Sequence, residues 1–272
     1  MIRAAVLGFP IAHSLSPFLH ELAYKELAIA GEYSKIEVEA GQLSHFLDSL
    51  DDSWTGFSLT MPLKQEAVQI VDSVTDLSRK IRSANTLFRK DGDWHATTTD
   101  VAGFTHAFQA HAVDISSNVL IIGAGATARA AAAACDGLAT RITVMARSTR
   151  GIDLISNCVE TSEIGFALWA DEAVIQEASV IISTTPEGAT DSLVHLFPRN
   201  PESIFFDVLY KPWPTLALAT WIDNGGHVID GLDLLIHQAI SQVEIFTGLN
   251  VERSSMAQRM REAAILTLTS ST

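Results

Sequence analysis

Four short polar clusters carry side chains able to do hydrogen-bond and acid–base chemistry on a small polar molecule. They are Ser14-Leu15-Ser16, Thr60-Met61-Pro62-Leu63-Lys64, Ser83-Ala84-Asn85-Thr86 and Thr97-Thr98-Thr99-Asp100. Each follows or ends an apolar segment, so strands at those segments would bring all four to one edge of a sheet. Together they offer hydroxyls, an amide, an ammonium and a carboxylate, which are the groups a small polyhydroxylated acid requires. Singly, each has a plainer explanation. Ser14 and Ser16 precede Pro17 as helix caps do. Asn85 suits a turn, Lys64 a solvated helix start and Asp100 an N-cap. The convergence of four such clusters favours chemistry over capping.

A second constellation is Gly123-Ala124-Gly125-Ala126-Thr127-Ala128, a GxGxxA placed after the apolar run Asn118–Ile122 and before an alanine-rich helix. Gly123 permits a tight turn, Gly125 lets a pyrophosphate approach the backbone, and Ala128 lets helix and strand pack closely. The helix start then presents unpaired N–H groups and a partial positive charge to the phosphates. An enzyme using NAD would place an acid at the end of the next strand to hold the ribose hydroxyls. Here the strand Arg141–Ala146 runs into Arg147-Ser148-Thr149-Arg150. Two arginines and two hydroxyls suit a 2′-phosphate instead.

The elements that must position these groups follow from hydrophobic periodicity. Ala4–Gly8, Tyr33–Val38 and Gly56–Thr60 are expected as strands. Helices are expected from Pro17, over Gln42–Leu50 and over Lys64–Val74. Ser83–Arg89 and Asp93–Ala96 are expected to pair as a hairpin, and Gly103–His111 to form a linking helix. Further strands are expected at Val180–Ser183, Ile204–Val208 and Gly226–Ile229, and two last helices at Asp233–Gly248 and Ser255–Thr267. Strands alternating with helices predict α/β architecture with a parallel sheet covered on both faces.

Composition narrows the functions. Thirty-two acids against eighteen bases give a formal net charge of -14, which argues against a sequence-independent nucleic-acid binder. No apolar run reaches the length of a transmembrane helix, and the N-terminus reads as a strand and loop, not a signal peptide. The two cysteines, Cys135 and Cys158, form no disulfide framework and fit a reduced compartment. A soluble cytoplasmic enzyme is the expectation, with no membrane partner and no metal site.

The chain resembles the shikimate dehydrogenase family over nearly its whole length. That family's G-x-P-I-x-H-S-x-S-P appears as Gly8 through Pro17, and its N-V-T-x-P-x-K as Ser58 through Lys64. Its A-x-N-T-L falls in Ser83–Leu87 and its N-T-D at Thr98-Thr99-Asp100. The glycine loop Gly123–Arg129, an N-R-[ST] element at Ala146-Arg147-Ser148, D-x-x-Y at Asp207–Tyr210, and D-G-x-x-x-L-x-x-Q from Asp230 to Gln238 complete the likeness.

The resemblance implies NADPH-dependent reduction of 3-dehydroshikimate to shikimate. It implies an N-terminal α/β substrate domain, 1–101, to which 236–272 return as helices, and a doubly wound Rossmann cofactor domain, 102–235. By the same resemblance Lys64 and Asp100 form the catalytic pair, and Ser14, Ser16, Thr60, Asn85, Tyr210 and Gln238 contact substrate. Gly123, Ala124, Gly125 and Ala126 would hold the pyrophosphate of NADP(H). Arg147, Ser148 and Arg150 would hold the 2′-phosphate. Thr184, Val208, Gly231 and Leu234 would lie near the nicotinamide or adenosine. The expected partner is a small-molecule substrate, and the expected assembly a monomer or homodimer.

Three positions depart from the family pattern. Ser58 and Thr98 stand where asparagines are usual, which thins polar support near the substrate. Ala146 replaces the asparagine of N-R-[ST], which removes an adenosine-side contact and spares the arginine. Three alternatives stand beside this reading: an NAD-preferring quinate/shikimate dehydrogenase, a paralogue with another small hydroxy-acid substrate, and a non-catalytic NADP(H)-binding paralogue.

Overall fold

The first strand, β1 (Ile2–Gly8), is buried from Ala4 onward because it has parallel neighbours on both sides. The computed structural model describes residues 1–269. After β1 come α1 (Ser16–Glu26), β2 (Gly31–Glu37), α2 (Leu43–Asp48), β3 (Gly56–Leu59) and α3 (Lys64–Ile70). Then follow β4 (Ser73–Val74), α4 (Asp76–Ile81), β5 (Thr86–Lys90), β6 (Asp93–Thr97) and α5 (Asp100–Ala110). The six strands form one mixed sheet in the order β2-β1-β3-β5-β6-β4. Leu7, Phe57, Leu59, Leu63, Ala67 and Leu87 pack in the core on one side of it.

The helix expected over Lys64–Val74 is shorter than its sequence suggested. It stops at Ile70, Val71 is extended, and Ser73–Val74 form a two-residue strand paired in parallel with β6. Val74, a β-branched residue, is buried in that strand, where its side chain is better accommodated than in a last helical turn. The helix α4 was not anticipated, since six largely polar residues carry little periodic signal.

The remaining strands are β7 (Asn118–Ile122), β8 (Arg141–Ala146), β9 (Glu163–Leu168), β10 (Val180–Ser183), β11 (Ile204–Asp207) and β12 (His227–Ile229). Between them lie α6 (Ala126–Cys135), α7 (Ile152–Ser156), α8 (Glu172–Glu177), a 3-10 turn at Thr190–Leu196 and α9 (Leu216–Asp223). All six strands are parallel, in the order β12-β11-β10-β7-β8-β9. This is the doubly wound dinucleotide-binding topology, with its switch point between β7 and β10. The edge strand β9 escaped the sequence reading because Gly165 interrupts it and Phe166 and Leu168 remain exposed.

The last helices are α10 (Gly231–Thr247) and α11 (Arg253–Thr269). The chain forms two compact units. One comprises Met1–Gly103 and the residues from Leu235 onward, and the other Phe104–Leu234. In the first, α11 packs on α1, burying Met256, Met260 and Ala264, and Arg259 pairs with Glu26.

Candidate active site

Sheet register brings the polar clusters of the first unit to one edge. Leu7 of β1 lies beside Leu59 of β3, and Ser58 beside Thr86, the first residue of the antiparallel β5. Thr86 in turn lies beside Thr97, the last residue of β6. The segments leaving β1, β3 and β6 and the segment entering β5 therefore share that edge. They carry Ser14 and Ser16, Thr60 and Lys64, Asn85, and Thr98–Asp100, the last two from β5 and β6 respectively. The backbone ties them further: Thr60 N–H donates to Leu7 O at 2.9 Å, Leu59 N–H to Asn85 O at 2.7 Å, and Ala84 N–H to Lys64 O at 2.8 Å.

At this edge Lys64 Nζ donates to Asp100 Oδ2 at 2.7 Å. Asp100 Oδ1 accepts from Asn85 Nδ2 at 2.8 Å, and the same amide lies 3.2 Å from Gln238 Oε1. Thr99 N–H donates to Asn85 Oδ1 at 2.7 Å, and Thr99 Oγ1 accepts from Asn85 Nδ2 at 2.9 Å. Asn85, Thr99, Asp100 and Gln238 are buried and Lys64 is half-buried. Of the substrate residues expected in this unit, Asn85 and Gln238 join this network with the Lys64–Asp100 pair. Thr60 shares the edge and stands outside the network, as do Ser14 and Ser16 around the start of α1. Ser14 Oγ accepts from the backbone of Ser16 at 3.2 Å, and no side-chain cap closes the start of α1.

Both departures from the family pattern in this unit carry hydrogen bonds. Ser58 Oγ pairs with the hydroxyl of Tyr33, and Thr98 Oγ1 accepts the backbone N–H of Asp100 at 3.3 Å. A hydroxyl two residues before the N–H it receives makes a local turn of the kind Asx residues also make.

The structure adds two residues that sequence reasoning missed, Gln242 and His20, and joins them to Thr86 of the Asn85 cluster. Gln242 Nε2 donates to Thr86 Oγ1 at 3.0 Å and to Asn85 O at 3.2 Å, and its Oε1 lies 3.3 Å from His20 Nε2. Thr86 Oγ1 donates to Asn85 Oδ1 at 2.9 Å. The spacing of Gln238 and Gln242 on one helix was the available signal, since residues four apart share a helix face.

In the second unit Gly123 has φ +114° and ends β7 at the switch point. A Cβ there would lie 2.6 Å from Thr184 Oγ1, which donates to Ile122 O at 2.9 Å. Gly125 precedes α6 in extended backbone, and a Cβ there would meet nothing within 4 Å. Open space above a glycine at the start of a ten-residue helix is a cradle for a phosphate-bearing group. Ala128 is fully buried, as close helix packing demands.

Arg147 follows β8 and is exposed, with its guanidinium 5.9 Å from the ring centroid of Trp169. Ser148 and Arg150 are exposed in the same loop. The loop returns at Gly151, φ +89°, where a Cβ would sit 3.3 Å from Ala124 O. The basic loop thus lies against the glycine turn, as a site for pyrophosphate and 2′-phosphate together requires. Trp169 is a further residue that sequence reasoning missed.

Val208 N–H donates to Ser183 O at 3.1 Å, and Gly231 abuts that backbone so closely that its Cβ would fall 2.4 Å from Val208 O. Leu234 is buried. Tyr210 belongs to this second unit and follows β11. Burial pushes the Asp207 carboxyl above its ordinary range, while hydrogen bonds from Thr215, Leu209 N–H and Ser183 pull it back. Cys135 and Cys158 are buried, and burial pushes the Cys135 thiol up to about 12, which leaves it a packing residue and not a nucleophile.

Residues 6–87 match the family model described as the shikimate dehydrogenase substrate binding domain. The shikimate dehydrogenase (NADP(+)) of Ignicoccus hospitalis is 32% identical over 247 residues, covering 90% of this chain and 92% of that protein. The crystal structure of Mycobacterium tuberculosis shikimate dehydrogenase superposes with a TM-score of 0.85 at 34% identity, covering 97% of this chain and 100% of the other. Shikimate 5-dehydrogenase from Thermus thermophilus, in complex with NADP(H) and shikimate, superposes with a TM-score of 0.85 at 30% identity and the same coverage. Among the described residues no helix is long and apolar enough to cross a membrane.

Proposed function

The chain belongs to the shikimate dehydrogenase family, and on that premise we propose that it catalyses the reversible NADPH-dependent reduction of 3-dehydroshikimate to shikimate. The observation that carries the assignment of residues is the buried edge network, in which Lys64 is held by Asp100 and Asp100 by Asn85. Bound NADPH supplies the hydride. The ketone carbon gains that hydride, and its oxygen gains a proton through the Lys64–Asp100 pair, which solvent then reprotonates. Lys64 is the group on this oxygen, where its ammonium stabilises the developing negative charge. Asp100 keeps the ammonium in place. Asn85 and Gln238, with Ser14, Ser16, Thr60 and Tyr210, bind the ring hydroxyls and carboxylate.

The residues of the second unit fit NADP(H). Gly123, Ala124, Gly125 and Ala126 would hold the pyrophosphate, in the space that a Gly125 side chain would fill. Arg147, Ser148 and Arg150 would hold the 2′-phosphate, and Thr184, Val208, Gly231 and Leu234 would line the nicotinamide and adenosine. The reading extends to a cytoplasmic enzyme working as a monomer or homodimer. The buried cysteines, joined by no disulfide, support the cellular location.

The decisive assay follows NADPH absorbance with shikimate or quinate crossed against NADP+ or NAD+. Shikimate with NADP+ is expected to give the highest kcat/KM. Comparable rates with quinate would make the protein bifunctional, and no rate with any pair would reduce it to a cofactor-binding relative.

A further inference from the structure

We infer that Thr86, backed by Gln242 and His20, is a positioning residue that orients the Asn85 carboxamide and thereby holds Asp100 and Lys64 in register. The inference rests on reading Lys64 and Asp100 as the reacting pair. It follows from the direction of each hydrogen bond. A backbone N–H only donates, so the Asn85 atom 2.7 Å from Thr99 N is Oδ1. Asn85 Nδ2 therefore faces Asp100 Oδ1, at 2.8 Å. Thr86 Oγ1 lies 2.9 Å from Asn85 Oδ1, which only accepts, so the single hydroxyl proton of Thr86 is committed there.

With its proton committed, Thr86 can only accept from Gln242, whose near atom at 3.0 Å is then Nε2. The same Nε2 lies 3.2 Å from Asn85 O, another acceptor, which agrees with that choice. Gln242 Oε1 must then face His20, and His20 Nε2 must carry the ring proton. His20 Nδ1 is left as a bare lone pair and indeed has no hydrogen-bond partner. Burial pushes the imidazole down to about 3, so it stays neutral and keeps this one tautomer. His20, Thr86 and Gln242 are each 0% exposed, so water does not scramble the sequence of donors.

The consequence is directional. His20 orients Gln242, Gln242 orients the Thr86 hydroxyl, and that hydroxyl locks Asn85 with its NH2 toward the carboxylate. Without it, Asn85 Oδ1 keeps the Thr99 N–H at 2.7 Å and the more distant Thr99 hydroxyl at 3.2 Å but loses its closest side-chain donor. The amide can then tilt, and Asp100 loses the fixed donor that balances Lys64.

The test compares Thr86→Val, which keeps volume but not the hydroxyl, with Thr86→Ser, which restores it. Gln242→Met, the double variant Thr86→Val/Gln242→Met and Lys64→Ala complete the set. Misplacement by an ångström costs up to about 10²-fold, so kcat of Thr86→Val should fall by roughly tenfold. Thr86→Ser should stay within about threefold of the parent, and KM for NADP+ should hold in both. Since both substitutions act through one hydroxyl, the double variant should lose no more than Thr86→Val alone. A parental kcat in Thr86→Val, an equal loss in Thr86→Ser, or additive losses in the double variant would overturn the inference. If Thr86→Val fails to fold, Gln242→Met decides in its place: reduced kcat at constant KM for NADP+ supports the inference, and unchanged kcat overturns it. Retained turnover in Lys64→Ala is a separate failure, that of the catalytic pair itself.

Discussion

Lys64 Nζ lies 2.7 Å from Asp100 Oδ2, with the two side chains 19% and 6% exposed. A pair so little hydrated is costly to split, because the surviving charge keeps its burial and loses its partner. Lys64 opens α3 and Asp100 opens α5, so each is anchored by the first turn of a helix.

Lys64→Ala is expected to lower kcat by roughly 10²–10⁴, the usual worth of a positioned acid–base group. KM for shikimate should change far less, because hydroxyls and amides hold most of the ligand. Asp100→Asn should also lose activity for a geometric reason. Its amide would turn a donor either toward the Lys64 ammonium or toward the Asn85 NH2, and both of those are donors. Steady-state kinetics on folded variants decide the matter. A Lys64→Ala enzyme with near-parental kcat and raised KM would make the lysine a binding group only.

Gly123 and Gly125 should respond oppositely to alanine. At Gly123 a methyl meets Thr184 Oγ1 at 2.6 Å in backbone of φ +114°. The strain is on the order of 1–3 kcal/mol, so Gly123→Ala should lower Tm. At Gly125 the backbone is extended and the space is open. Gly125→Ala should therefore keep the parental Tm while KM for NADP+ rises, because the methyl occupies the pyrophosphate's place. A Gly125→Ala enzyme with unchanged affinity for NADP+ would remove the glycine turn from the cofactor site.

The glycine turn was legible because its meaning is local: strand, turn and helix lie within Asn118–Cys135. The same holds for the buried runs of β1 and β7, whose composition alone marks them as interior strands. What the sequence concealed was contact over distance. Gln242 meets the backbone of Asn85 across 157 positions, and no periodicity announces such a pair. On its own helix Gln242 reads as a polar residue one turn beyond Gln238. His20 likewise reads as an ordinary helical histidine, although it stacks on Tyr33 with centroids 3.9 Å apart. The two-residue strand β4 and the edge strand β9 were concealed for a related reason: pairing with β6 and β8 defines them, not their own residues.

His20 gives the fold an acid sensitivity of calculable sign. It is held by Gln242 and surrounded by the rings of Tyr24, Tyr33 and Phe246. Burial pushes it from 6.5 down to about 3, with the Gln242 hydrogen bond opposing. Between these limits the unfolded chain binds a proton that the folded protein refuses, so stability falls as pH falls through that window. At about 1.4 kcal/mol per pH unit, the drop from pH ~6.5 to pH ~5 costs roughly 2 kcal/mol. In His20→Phe that component disappears while the carboxylate contributions remain. Urea unfolding at the two pH values measures the difference. An equal acid loss in parent and variant would show that His20 protonates within the fold.

Cofactor choice should turn on Arg147, assisted by Arg150. The 2′-phosphate carries nearly two negative charges, and Arg147 stands where a ribose-binding acid would otherwise be. A hydrogen bond to a charged group is worth roughly 1.5–3 kcal/mol, which is about a 10- to 150-fold effect. Arg147→Ala should raise KM for NADP+ by about that factor and leave NAD+ kinetics nearly unchanged. Salt should weaken NADP+ more than NAD+, because the contact is exposed and electrostatic. The structure adds a supporting surface, since the guanidinium lies 5.9 Å from the Trp169 ring centroid. That is near the outer limit of a cation–π contact, worth roughly 0.5–1 kcal/mol at an exposed site. Trp169→Leu should therefore raise KM for NADP+ by only about two- to fivefold, again sparing NAD+. An arginine that stacks on the adenine, a surface both cofactors share, would behave differently. Arg147→Ala would then weaken both equally, and an unchanged NADP+/NAD+ ratio would withdraw the 2′-phosphate from Arg147.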